Sequence, residues 1–137
     1  MPELPEVETM RRGILQVVGA RITGLESLAG TYKPISIKPK IAVFRRRVTG
    51  QTIVDVGRVG KRVVVKLSND DVIILEPRMT GLVLVADPPN VEHLRLRIDL
   101  AECPVKQLWF WDRRGLGSVY LLRPKEFALR LGPDRLG

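Results

Sequence analysis

The alternation His93-Leu94-Arg95-Leu96-Arg97-Ile98-Asp99-Leu100 constrains this chain more than any other stretch. It puts Leu94, Leu96, Ile98 and Leu100 on one face and His93, Arg95, Arg97 and Asp99 on the other, the pattern of a half-buried strand. Runs rich in β-branched residues at 51–59, 62–67, 72–76, 82–86, 105–111 and 118–122 predict further strands, and Ser68-Asn69-Asp70-Asp71 joins two of them as a hairpin would. Val72-Ile73-Ile74-Leu75 has no polar face, which predicts a strand covered on both sides. Many short strands with few helices argue for a sandwich or barrel carrying helices at its edge.

The helices are marked by different signals. Pro5 suits a first turn, Glu6 and Glu8 suit its positive end, and Val7, Met10, Ile14, Leu15 and Val18 recur at helical spacing, so residues 5–18 are predicted helical with Gly19 as the stop. Residues 21–28 favour a short strand, 30–40 a loop held by Pro34 and Pro39, and 41–47 a short basic helix. Pro124 opens a last helix through Leu131, stopped by Gly132 and Pro133.

The chain of 137 residues suits one domain. Lys and Arg number 23 against 15 Asp and Glu, and the net charge of +8 points to a polyanionic partner, nucleic acid before an anionic membrane surface. No apolar run approaches the roughly 20 residues of a spanning helix, and the acidic first ten residues do not read as a secretory signal. A lone Cys103 precludes an internal disulfide, and with only His93 beside it no closed structural zinc site can form. A reducing, cytoplasmic setting fits.

The start of the chain carries the most unusual chemistry. Removal of Met1 would leave Pro2 as a secondary amine, and an α-amino group with a reference pKa of about 7.7–8.0 has a usable neutral fraction at physiological pH. Such an amine can attack a sugar anomeric carbon and form a cationic iminium, with the adjacent Glu3 as general acid. While Met1 remains, the Pro2 nitrogen is a tertiary amide and cannot attack. The plainer alternative is that Pro2 and Pro5 stiffen a helix start.

Pro2-Glu3-Leu4-Pro5-Glu6-Val7-Glu8-Thr9, followed by Arg11-Arg12-Gly13, resembles the opening signature of the formamidopyrimidine-DNA glycosylase and endonuclease VIII family. Lys61 after Gly60, Met79-Thr80-Gly81, Asp112-Arg113-Arg114 with Gly117, and Leu131-Gly132-Pro133-Asp134 are similar in order and spacing to that family's markers. The resemblance implies an α+β, mostly β fold: a two-layer antiparallel β-sandwich with an N-terminal helix and a short C-terminal helix at its edges. It also implies base-excision repair by a bifunctional glycosylase and AP lyase. Such an enzyme releases 8-oxoguanine and formamidopyrimidines through a Schiff base, then cuts the strand by β,δ-elimination. Its partner would be double-stranded damaged DNA, bound by a monomer.

By the same resemblance Pro2 is the nucleophile and Glu3 the proton donor. Glu6 supports the site or only caps the helix. Lys61 contacts phosphate and donates a proton in elimination. Met79 begins the wedge that fills the stack when a nucleotide is flipped, and Arg114 faces the orphaned base. Leu116 stands where the family commonly has Phe, and Gly115 replaces a basic residue. Val91 and His93 occupy the places of two family histidines, leaving His93 as a DNA contact or an edge-strand polar residue.

Arg45-Arg46-Arg47 is expected to be a solvated face, Trp109 and Trp111 are expected to pack, and Glu76, Pro77 and Arg78 receive no role. The family's enzymes continue beyond Leu-Gly-Pro-Asp into a helix–two-turn–helix region and a zinc finger. The chain stops three residues after Asp134, so zinc is expected outside it, no cofactor within it, and weak, salt-sensitive DNA binding without turnover from these residues alone. Two other readings remain: a non-catalytic DNA-binding domain that kept the fold, and an unrelated basic β protein that binds RNA or acidic partners.

Overall fold

The computed structural model describes residues 4–28 and 33–131, so the expectations for Pro2, Glu3 and Gly132-Pro133-Asp134 lie outside the described residues. Helix α1 spans Leu4–Gly13 and buries Val7 and Met10. It closes earlier than the predicted residue 18. Gly13 is a weak helix former, and beyond it the backbone tightens into a 3-10 turn, Leu15–Val17, in which Val17 N donates to the Ile14 carbonyl at 3.0 Å. Ile14 and Val17 remain buried, whereas Leu15 and Val18 point outward.

Among the described residues, nine strands form two sheets. One has the order β1 (Arg21–Ser27), β7 (Leu94–Ala101), β8 (Gln107–Asp112), β6 (Gly81–Leu84). The other runs β2 (Ser36–Lys38), β9 (Ser118–Leu122), β5 (Val72–Glu76), β4 (Arg62–Leu67), β3 (Ile53–Val59). Neighbours are antiparallel apart from β2, which runs parallel to β9. β2 falls in the segment expected to be loop. Three residues between two prolines are too few to show an alternation, and their order comes from pairing with Ser118–Tyr120. Register slips at Ile22/Gly24 in β1 and Ile53/Asp55 in β3 mark bulges in two outer strands.

The core packs Ile22, Leu25, Ile98 and Phe110 of the first sheet with Ile53, Val65, Ile73 and Leu121 of the second, and Phe44 of α2 (Ile41–Val48) joins it. A second cluster, Val59, Val64, Val72, Ile74, Tyr120 and Leu122, lies on the opposite side of the second sheet with Phe127 of α3 (Pro124–Leu131) against it. The strand expected to be covered on both faces is so covered.

Two expectations are corrected. The 93–100 alternation holds from Leu96 onward, but the register slips between Leu94 and Leu96, and Arg95 and His93 are buried rather than outward-facing. The Arg45–Arg47 cluster is not a uniformly solvated face. Arg45 Nε donates to the Leu25 carbonyl at 2.7 Å and its guanidinium pairs with Glu26, while Arg47 pairs at 3.0 Å with the buried Asp71. Only Arg46 stays exposed, so the basic run ties α2 to β1 and to the β4–β5 hairpin.

Candidate nucleic-acid interface

Three connections meet at one end of the sandwich because their strands are paired there. β4 begins and β5 ends side by side, Glu76 of β5 faces Ser118 of β9, and Gly81 of β6 faces Asp112 of β8. This end therefore carries the β3–β4 tip with Lys61, the turn 77–80 with Met79, and the loop 113–117 with Arg114 and Leu116. Met79, Arg114 and Lys61 are exposed, and Leu116 is half-buried.

Asp112 joins two of these connections. Its side chain is fully buried, and its Oδ1 accepts from Thr80 Oγ1 at 2.7 Å and from Arg114 N and Gly115 N at 3.1 Å each. Its Oδ2 accepts from Gly117 N at 2.7 Å, and Thr80 Oγ1 in turn receives Arg114 N at 3.2 Å. Beneath the loop, the buried guanidinium of Arg95 donates to the Asp112 carbonyl at 2.8 Å and the Lys33 carbonyl at 2.7 Å. The backbone that presents Met79 and Arg114 is thus fixed by one carboxylate and one guanidinium.

Glycine is required at two places here. Gly115 has φ +68°, and a Cβ on it would overlap the Lys33 carbonyl. Gly117 would put a Cβ 2.6 Å from Phe110 Cζ and 2.8 Å from the Glu76 carbonyl. The absence of a basic residue at 115 is therefore explained by the backbone of this loop.

Helix α1 brings Glu6 to the same end. Glu6, Met10, Met79, Thr80, Trp111 and Arg113 line a cavity of about 290 Å³, so a glutamate near the start of the helix and the exposed Met79 face one space. Glu8, two residues further along the helix, accepts from Arg11 (2.6 and 2.9 Å), Arg12 (3.0 Å) and Arg58 (3.2 Å). Arg58 also donates to the Gly60 carbonyl at 2.9 Å, which ties the Lys61 tip to α1.

The Arg11 guanidinium above all, then Arg12 and Arg58, hold the Glu8 carboxyl down at about 2, against the opposing effect of burial. Because the folded pKa is depressed, the Glu8 contribution to stability is full above its ordinary 4.5 and is lost as pH falls through about 2. We expect a carboxyl-carbon NMR titration to place the Glu8 midpoint near 2 and the Arg11→Ala variant to move it toward the ordinary carboxylate range. An unmoved midpoint in that variant would count against this arrangement.

His93 is placed differently. It is 8% exposed, its ring meets Trp111 edge-on at 5.7 Å between centroids, and its backbone N donates to Asn90 Oδ1, which also accepts from Trp111 Nε1 at 3.3 Å. The structure does not bring it to the surface with Met79 and Arg114, while Val91 is 77% exposed. Trp111 packs as expected. The cross-chain contacts Thr80–Asp112, Arg58–Glu8 and Arg95–Lys33 had no counterpart in the sequence reading, since partners 30 or more residues apart leave no local pattern. Among the described residues no group of three or more His, Cys, Asp or Glu side chains could hold a metal ion. No described helix is long and apolar enough to cross a membrane.

The fold and this end of it define a class: a mostly β, two-sheet domain whose exposed lysine, methionine and arginine share one surface with the first helix. The family model of the formamidopyrimidine-DNA glycosylase N-terminal domain matches residues 1–119. Among curated relatives, formamidopyrimidine-DNA glycosylases of Chloroflexus aurantiacus (36% identical, 89% of this chain, 43% of the relative) and Heliobacterium modesticaldum (34%, 100% and 52%) are similar to it. Among solved structures, Lactococcus lactis Fpg (MutM) in complex with DNA containing an oxidized pyrimidine has TM-score 0.76 at 31% identity over 93% of this chain and 46% of that one. The Lactococcus lactis complex with abasic-site DNA gives TM-score 0.75, again at 31% identity over 93% and 46%. The chain belongs to the formamidopyrimidine-DNA glycosylase family, in its N-terminal domain. It spans about half the length of the curated relatives it matches.

Proposed function

We propose that the protein carrying this chain is a bifunctional DNA glycosylase and AP lyase of base-excision repair, acting on oxidised purines such as 8-oxoguanine and formamidopyrimidines. One observation carries the reading: the Lys61 tip, the Met79 turn, the Arg114 loop and Glu6 of α1 converge at one end of the sandwich. The relatives' names and the DNA in the solved complexes support it.

In this reading Met79 enters the stack when the damaged nucleotide is flipped, Leu116 lies beside it, and Arg114 faces the orphaned base. The Pro2 nitrogen forms a bond to the sugar anomeric carbon as the bond to the damaged base breaks, and Glu3 protonates the ring oxygen as the sugar opens. The resulting iminium draws electrons from the neighbouring C–H bond, whose proton is lost as the 3′ phosphate leaves. A second elimination releases the 5′ phosphate. Lys61 holds phosphate near the lesion and supplies a proton during elimination. Zinc belongs, in this reading, to parts of the protein outside these residues.

Borohydride trapping tests the proposal. With Met1 removed, the whole protein should give a reduced covalent complex with abasic duplex DNA, and with Met1 retained it should give none. Residues 1–137 alone should bind duplex weakly and lose that binding steeply as salt rises. A Met-processed protein that fails to trap would favour a DNA-binding domain that kept the fold without the chemistry.

A further inference from the structure

The Lys61 tip and the Met79 turn are joined by an ion pair that the function described above does not use. Arg62 is the first residue of β4 and Glu76 the last of β5, and the register that sets Val63 opposite Leu75 sets these two opposite each other. Arg62 Nε lies 2.9 Å from Glu76 Oε2, with the two side chains 35% and 16% exposed. The pair rests beside Tyr120, whose hydroxyl is pushed above its ordinary pKa by burial first and then by the Glu76 charge.

Both neighbours of the pair are short and stiff. Gly60 at φ +60° and Lys61 make a two-residue connection, so Lys61 is one peptide bond from Arg62. On the other side the Gly81 N donates to the Pro77 carbonyl at 2.8 Å, closing the turn that starts at Glu76 and presents Met79. A cross-strand pair of opposite charges favours this register. It also neutralises a carboxylate at the end where phosphates would lie.

We propose that Arg62 and Glu76 are positioning residues that set the Lys61 tip against the Met79 turn, so that the group working at the strand break and the group filling the stack move as one unit. The proposal rests on the roles given above to Lys61 and Met79.

The test uses the whole protein with Met1 removed and saturating abasic duplex, and compares the rate of strand cleavage with the rate of borohydride-trapped complex. Arg62→Ala and Glu76→Ala should each lower the ratio of cleavage to trapping about tenfold, because small misplacements of a reacting group are costly. The swapped double variant, Arg62→Glu with Glu76→Arg, should recover most of that ratio, which loss of general stability would not allow. Single variants with an unchanged ratio, or a swap no better than the singles, would overturn the proposal. If the unaltered protein does not trap at all, the functional reading fails by itself and amide NMR decides the coupling. Arg62→Ala should then shift Lys61, Met79 and Thr80 while Asn69 and Asp70, at the opposite end of β4 and β5, stay in place. An unmoved Met79 amide overturns it.

Discussion

Asp112→Asn is expected to destabilise the domain by about 1–3 kcal/mol, despite conserving shape, because it leaves a buried donor without an acceptor. All four groups around the carboxylate donate to it: Thr80 Oγ1 and the backbone N–H groups of Arg114, Gly115 and Gly117. An amide offers one acceptor oxygen, and its NH₂ would meet a donor head-on. The hydroxyl of Thr80 can rotate away, but backbone N–H groups cannot. Urea unfolding monitored by tryptophan fluorescence measures the loss, and a midpoint equal to that of the unaltered chain would refute the account of this carboxylate. The same variant should free the Arg114 loop from the Met79 turn and weaken duplex binding in the whole protein beyond what altered charge explains.

Gly115→Arg, which would restore the basic residue common in the family, is expected to cost about 3 kcal/mol or more. A side chain at φ +68° is strained by roughly 1–2 kcal/mol, and the overlap with the Lys33 carbonyl adds a similar amount or displaces the segment. Leu116→Phe provides the contrast. Its position is half-buried, so the larger side chain should change stability by less than about 1 kcal/mol. Thermal unfolding of the two variants side by side separates them, and equal midpoints would show that the loop adapts more readily than its close contact with Lys33 indicates.

The strands were legible where side chains repeat with a short period. Residues 62–67 and 72–76 fall on β4 and β5 without adjustment, and Pro124–Leu131 is a helix as its opening proline predicts. The start of β7 was misread for a physical reason. Arg95 looked outward by parity, but a buried guanidinium is tolerable when carbonyl oxygens surround it, and those carbonyls belong to residues 33, 112 and 113. The Arg45–Arg47 run was misread likewise, since its acceptors at 25, 26 and 71 are distant in sequence.

Lys61, Met79 and Arg114 were singled out by resemblance alone, and no periodicity marks them. The residues that fix the backbone of the last two, Asp112 and Thr80, were visible only as part of a marker string. Their function depends on a meeting of loops that a linear reading does not display.

The outer strands of the two sheets have a consequence for solubility. An exposed β-edge is a template on which another chain can add a strand. β2 has three residues and lies between Pro34 and Pro39, and β6 has four and leads toward Pro88-Pro89. The longer outer strands, β1 and β3, are each broken by a bulge. Each edge of this sandwich is thus short or kinked, which protects a protein of high β content from growing by lateral self-association.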